Sequence, residues 1–427
     1  MDTSAFLDYL EREKQDILAN CTRCGKCVEV CPMTQYSEVH TQSPEVVIRA
    51  VTELLETGVP TLAASAWASS CSNSGHCIPA CPEGVNPRKM LALARLELRH
   101  YEAMGEVAPL RQAGRAKFKG LHDAIRLLLS VQLLPEEIER LLPGSVQQRR
   151  RPAEVVFYFG CNILKTPDIA LNVLDVLDRL EVDYEVAGGT ANCCGINFMR
   201  AGDAATSYAQ ASQTLQNMHA FEPQEILSWC ASCNVHMHDF VPPEEYNRTP
   251  IRHLTAYLVD RLEDLQRLFV QPVRKRVALH EHDGLDGVVT DVRRLLGAVP
   301  GLELVPIPQL HEQGHMCSGL AYTPAAKDNV HRVVLTQAAE AGVDVLADIY
   351  HACHRELVAS EADYPFTIQN FMSLIGEAMG MSRADLYKRM VLYQDLEQVM
   401  REAAPYMEAN GANPELVQLQ LPGTLWA

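Results

Sequence analysis

The stretch that decides the fold reads VVFYFGC at 155–161, NCCG at 192–195 and ILSWCASC at 226–233. It sets Cys161, the adjacent pair Cys193 and Cys194, and then Cys230 and Cys233 into one segment. VVFYFG, DYEVAG (183–188) and EILSW read as short apolar strands, and residues 167–181 and 201–219 between them read as helices. Strands alternating with helices predict a parallel sheet covered by helices, with the cysteines converging at the edge where open α/β folds place their ligands. Thiols this numerous without a secretory signal are metal ligands sooner than disulfides. One tetrahedral zinc needs four ligands and leaves a fifth over, so five thiolates suit an iron–sulfur cluster better. A zinc site or a set of buried free thiols is the competing reading.

Working outward to the N-terminus, residues 4–19 form an amphipathic pattern with Phe6, Leu7, Leu10, Ile17 and Leu18 on one side, capped by Thr3 or Ser4. CTRCGKCVEVCP follows, giving Cys21, Cys24, Cys27 and Cys31 before Pro32. This is the bacterial ferredoxin spacing, in which three thiolates bind one [4Fe-4S] cluster and the fourth reaches the other. The second run, CSNSGHCIPACP, supplies Cys71, Cys77 and Cys81, with Ser74 where another cysteine is expected. The cross-over rule assigns Cys21, Cys24, Cys27 and Cys81 to cluster 1, and Cys31, Cys71 and Cys77 to cluster 2 with Ser74 at its fourth seat. Cluster 2 is then [3Fe-4S], or [4Fe-4S] with Ser74 or an outside ligand on the fourth iron, or lost. His76 beside it reads as a hydrogen-bond donor that tunes potential rather than as a ligand. Helices are expected at 44–57 and after Pro87 to Gly105, and a basic stretch over 109–134 reads as a solvated helix face.

Towards the C-terminus the body pattern repeats at an offset of roughly 120 residues. RVALHEHD repeats VVFYFGC, GHMCSG repeats NCCG, and VLADIYHACH repeats ILSWCASC. Asp283, Met316 and Tyr350 replace three of the five cysteines, while Cys317 and Cys353 remain. Histidines gather around these seats, so a degenerate site on His282, Asp283, Cys317, His351 and Cys353 is a candidate for zinc or for a cluster with unusual ligands. The alternative is a structural pseudo-repeat with two buried thiols.

The order Cys, Cys-Cys-Gly, Cys-x-x-Cys resembles the CCG-domain (cysteine-rich) iron–sulfur proteins. These include the B subunit of heterodisulfide reductases, the glycolate oxidase iron–sulfur subunit and the C subunit of anaerobic glycerol-3-phosphate dehydrogenase. The resemblance implies a cluster held by Cys161, Cys193, Cys194, Cys230 and Cys233, in some members a non-cubane four-iron cluster that handles thiol or disulfide chemistry. The paired N-terminal runs are similar to the heterodisulfide reductase C subunit, in which two clusters relay electrons. The fold class expected is therefore α+β joined to α/β. A helical ferredoxin-like two-cluster head spans 1–145, a first CCG repeat with intact motif 154–272, a second with degenerate motif 273–382, and a helical tail 383–427. Pro143-Gly144 and QQRRRP at 147–152 mark the head–body boundary, across which the two parts are expected to move as separately folded units.

Composition fits this reading. The chain has 427 residues, 47% of them hydrophobic, and a formal charge of −17, which disfavours nucleic-acid binding. Twelve of its fourteen cysteines fall into the three groups above. No apolar run is long enough to span a bilayer and no signal-peptide pattern opens the chain, so a cytoplasmic location is expected, with membrane contact only through a partner. No GxGxxG is present to bind a nucleotide or flavin. Electrons are thus expected to come from or go to a flavoprotein, a ferredoxin or a quinone-reactive membrane subunit. Three functions follow: an electron-transfer subunit of a heterodisulfide-reductase-type oxidoreductase; a catalytic thiol, disulfide or persulfide reductase acting at the CCG cluster; or a non-enzymatic zinc-bearing scaffold. No residue is singled out as catalytic.

Overall fold

A computed structural model describes residues 2–144, 149 and 151–426; residues 147, 148 and 150 of the basic connector lie outside them. The N-terminal third is helical. Its first helix, Thr3–Asn20, is capped by Asp2, whose carboxylate accepts from the Ala5 N–H at 2.9 Å, rather than by Thr3 or Ser4. Phe6, Leu10 and Ile17 are buried, whereas Leu7 points outward. Helices Pro44–Thr57, Leu62–Ser70 and Pro87–Glu102 pack their apolar faces around Trp67 and Ile48. Two of them start with proline, which fits the first helical turn because no N–H is needed there.

The body contains two four-stranded sheets, both wholly parallel. The first has the order β2-β1-β3-β4, with β1 Val155–Gly160, β2 Tyr184–Gly188, β3 Glu225–Ser228 and β4 Ile251–His253. The second has the order β6-β5-β7-β8, with β5 Arg276–His280, β6 Glu303–Leu304, β7 Val345–Asp348 and β8 Thr367–Asn370. Strand β1 is buried along its whole length, as a central strand covered on both faces must be. The fourth strand of each sheet is not evident in sequence. Residues 251–262 and 367–378 read as helices, yet each begins with a short edge strand, and the helices start at Leu254 and Phe371. His253 and Asn370 cap them, each side chain accepting a backbone N–H two residues on.

Head and body are packed together rather than joined only by a connector. Phe6 stacks on Tyr208 of the body helix Ala204–His219, with centroids 4.1 Å apart. Buried Arg88 grips Asp239 through two bonds of 2.7 and 2.9 Å, and Asn86 adds a third at 3.1 Å. The helix Val107–Ser130 falls within the head as drawn at residue 145, but Ile125 and Leu129 enter the first body core and Leu127 and Leu128 the second.

The tail also docks on the body. Helix Leu396–Ala409 continues through Pro405, and Val399, Ala403, Met407, Leu421 and Leu425 join the core of the second repeat. Its anchor is ionic. Buried His354 donates from Nδ1 to Asp348 and from Nε2 to Asp385, both at 2.7 Å. Burial alone would lower the His354 pKa, but the two carboxylates raise it well above the ordinary value. This stabilisation is complete below pH ~6.5 and is lost as pH rises through the raised folded pKa. Asp385→Asn breaks one arm of the clamp and is expected to cost about 3 kcal/mol at neutral pH, read as a lower urea midpoint with faster amide exchange in the tail helices.

Candidate metal centres

The two N-terminal cysteine runs fold against one another. Cys21, Cys24, Cys27 and Cys81 line one pocket, with Ile48, Val85 and Met90 forming its apolar wall. Gly25 makes this loop possible: its φ is +75° and an added Cβ would stand 2.6 Å from the Pro44 backbone. Burial pushes the Cys27 thiol to about 12, reinforced by Cys21, Cys81 and Cys24. A second group forms from Cys31, Cys71 and Cys77. Burial raises Cys31 to about 11 and Cys77 further still, with Cys71 adding to both. Ser74 lies half-buried in the same loop and makes no side-chain hydrogen bond within the described residues. His76 reaches out of that loop to Asp283 of the second repeat, at 3.8 Å.

All five cysteines of the first repeat are buried beyond the C-terminal ends of β1, β2 and β3. They form a continuous chain of sulfur contacts, Cys161 to Cys193 to Cys194 to Cys233 to Cys230. Contacts with Cys161 and Cys194 draw the Cys193 thiol well down, while its neighbours and burial drive Cys161 and Cys194 well up. Five such thiols cannot all ionise at once unless cations stand between them, so this donor set fits a thiolate-held iron–sulfur group. When bound, such a group supplies one-electron transfer.

Glycines shape the pocket. Gly195 has φ +87°, and a Cβ there would lie 2.2 Å from the Ser207 carbonyl oxygen, so only glycine lets the Cys-Cys-Gly turn press on the following helix. Its N–H points to Cys193 Sγ at 3.5 Å, and the Thr214 hydroxyl donates to the Cys193 carbonyl at 2.9 Å. Gly160 has φ +77°, and a Cβ there would sit 3.0 Å from Cys233 Sγ.

In the second repeat the structure gathers a different set from the one expected. His280, His282, Cys317 and Cys353 bring their ligand atoms within 4.8 Å of one another, all four buried. Asp283 and His351 are not among them. Asp283 accepts from His311 Nδ1 at 2.6 Å and faces His76, while buried His351 has no hydrogen-bond partner on either ring nitrogen among the described residues. His280 takes their place. The signal is present in sequence as His-x-His at the end of β5.

Three further residues lie between the sites. His315 donates from Nδ1 to the Ser72 carbonyl at 2.9 Å, and its Nε2 accepts from the Ser232 hydroxyl at 2.7 Å. Arg200 lies by Cys194, Cys230 and Arg95, 5.9 Å from the Tyr322 ring, and has no carboxylate partner within the described residues. Arg95 donates to the carbonyls of Ala68 and Cys71, both at 3.2 Å.

With these centres described, residues 20–86 match the family model of a 4Fe-4S dicluster domain, and residues 155–238 that of a cysteine-rich domain. The chain is an iron–sulfur protein carrying both domains. It is 22% identical over 406 residues to the D subunit of dihydromethanophenazine:CoB–CoM heterodisulfide reductase from Methanosarcina acetivorans, covering 86% of this chain and 95% of that one. It is 22% identical over 325 residues to the B subunit of a fumarate reductase (CoM/CoB) from Methanothermobacter marburgensis, spanning 73% of this chain but only 60% of that protein. A probable glycolate oxidase iron–sulfur subunit from Bacillus subtilis is 22% identical over 312 residues, 62% of this chain and 68% of the relative. These relatives are oxidoreductase subunits, and this iron–sulfur protein is similar to them along most of its length. Among the described residues no helix is long and apolar enough to cross a membrane.

The buried histidines of this iron–sulfur protein set an acid limit. Burial lowers His236 and His253 to about 4, so both fold neutral while the unfolded chain takes up their protons near pH ~6.5. Unfolding therefore binds protons below that value, and stability falls as pH drops from about 6.5 towards 4. The urea midpoint of His253→Gln, measured against the native protein over this range, should show a shallower decline.

Proposed function

We propose that this protein is the electron-relay subunit of a multisubunit oxidoreductase of heterodisulfide-reductase type, passing electrons between the head centres and the cysteine-rich centre of the first body repeat. In this reading Cys21, Cys24, Cys27 and Cys81 hold one [4Fe-4S] cluster. Cys31, Cys71 and Cys77 hold a second cluster, [4Fe-4S] or [3Fe-4S], with the unbonded Ser74 hydroxyl free to serve its fourth seat. Cys161, Cys193, Cys194, Cys230 and Cys233 hold the third, cubane or non-cubane. A separate flavoprotein, ferredoxin or quinone-reactive subunit supplies or takes the electrons, at the membrane or in the cytoplasm.

The observation that carries this reading is the His315 bridge. Its ring joins Ser72, the neighbour of Cys71, to Ser232, the neighbour of Cys233. Both ring nitrogens are satisfied by neutral partners, and burial lowers the pKa to about 3, so the imidazole stays uncharged and fixed. It thus gives a short, dry, hydrogen-bonded connection between the loop of the second head centre and the body motif. Arg200 and Arg95 set positive charge in the same junction, where it offsets the negative charge that thiolate-held clusters carry. A relay also suits the second repeat, whose two cysteines cannot reproduce a second five-thiolate site for splitting a disulfide between two clusters.

Anaerobic purification with iron and sulfide quantified, followed by electron paramagnetic resonance of both redox states, should show two ferredoxin-type signals and a third from the body. In His315→Leu the iron content and the reduction of the head centres should be unchanged while electron arrival at the body centre slows. Equal rates in the variant and the native protein would remove the bridge from the route, and a body without iron would remove the relay.

A further inference from the structure

The second body repeat retains two of five cysteines, and the sheet registers show what replaced the others. In the first sheet Tyr158 pairs with Ser228, and in the second His280 pairs with Asp348. Ser228 stands two residues before Cys230, as Asp348 stands two before Tyr350, so the two ladders superimpose position for position. His280 therefore occupies the place of Tyr158; beyond the ladders, counting along the chain sets His282 level with Gly160 and Asp283 level with Cys161, although the backbone is left-handed at Gly160 and not at His282. In the first repeat the places of Tyr158 and Gly160 already face the thiols. Tyr158 lies beside Cys233, and a Cβ on Gly160 would lie 3.0 Å from the Cys233 sulfur. Imidazoles put into these two places must meet the sulfurs that remain.

They do. His280 Nε2 is 3.2 Å and His282 Nε2 3.5 Å from Cys317 Sγ, and the Cys317 N–H points to Cys353 Sγ at 3.4 Å. All four residues are at most 2% exposed. The edges of a tetrahedral zinc site with two sulfurs and two nitrogens are roughly 3.3–3.8 Å, as zinc–sulfur bonds of ~2.3 Å and zinc–nitrogen bonds of ~2.0 Å require. The observed contacts lie at that scale.

We propose that His280, His282, Cys317 and Cys353 bind a single tetrahedral metal ion, zinc by donor chemistry, in the place where the first repeat has its five-cysteine motif. Two sulfurs and two imidazoles favour zinc over hard cations, which take oxygen. A two-iron cluster with two cysteine and two histidine ligands does not fit, because its ligand pairs sit on different irons with sulfides between them, whereas these four donors lie within 4.8 Å of one another. The closed, buried set leaves no seat for water, so the ion is structural. Packing, rather than hydrogen bonds to the outer ring nitrogens, holds the imidazoles: His280 and His282 meet edge-on with centroids 4.8 Å apart, and neither Nδ1 has a partner. A redox-inert ion here makes the first repeat the end of any electron route within the body. The metal site itself stands on geometry alone and survives if the relay fails.

The full-length protein, purified without oxygen and dialysed against a weak chelator, should retain one zinc per chain. The zinc X-ray absorption fine structure should report two sulfur and two nitrogen neighbours. In His280→Ala/His282→Ala the zinc should be lost while the iron content stays as in the native protein. Cobalt exchanged into the native protein should give the visible bands of a tetrahedral thiolate site. Retention of zinc by the double variant, an all-sulfur zinc shell, absence of zinc from the native protein, or loss of iron together with these histidines would each overturn the assignment. If the double variant does not fold, the absorption measurement on the native protein decides.

Discussion

Five thiols linked in a chain of contacts at the end of a parallel sheet are unfavourable neighbours in two ways. Burial opposes the ionisation of each, and ionising any one opposes ionisation of the rest. The remedy is an inorganic group whose positive irons sit among the sulfurs, and much of the first repeat can be understood as the means of holding those sulfurs ready for it. Strand β1 delivers Cys161, the Gly195 turn presses the Cys193-Cys194 pair against a helix, and the end of β3 presents Cys230 and Cys233. Gly160 and Gly195 at this edge both hold left-handed backbone, and at Gly195 the approach to Ser207 also leaves no room for a side chain.

The head is also held firmly against the body. In the proposed relay this keeps the second head centre near the body motif, since electron transfer tolerates only short gaps. The Arg88–Asp239 pair does part of this. Burial would raise Asp239, yet hydrogen bonds from His238 and Arg88 hold it at about 2, so the ion pair persists across the working pH range. Stacking of Phe6 on Tyr208 and the His315 bridge fix the remaining freedom. Cys71 and Cys233 thereby sit on either side of one imidazole and the two serines it binds.

Much of this arrangement is legible in the chain, for identifiable reasons. The central strands β1 and β3 announce themselves because strands buried on both faces are apolar runs, the edge strand β2 shows through its apolar end, and the cysteines mark where the strands stop. The duplication is visible through the same pattern. The edge strands β4 and β8 are hidden, since three or four residues leading directly into an amphipathic helix carry no periodicity of their own. The head–body contact is hidden too: Arg88 and Asp239 are 151 residues apart and nothing local links them. Asp283 stands where the lost cysteine would, while the sheet register sets His280 in the place of Tyr158 and the buried donors gather around Cys317 instead. On the proposed assignment, duplication preserved a place for metal in the second repeat and changed its chemistry.

The most direct measurement is the magnetic interaction between centres in anaerobically prepared, fully reduced protein. Spins bridged as closely as Cys71 and Cys233 are through His315 should broaden and split one another's resonances, and removing the body iron through Cys194→Ala should return the second head signal to an isolated form. Head and body signals that simply add, with no change in either when the other is removed, would contradict the account.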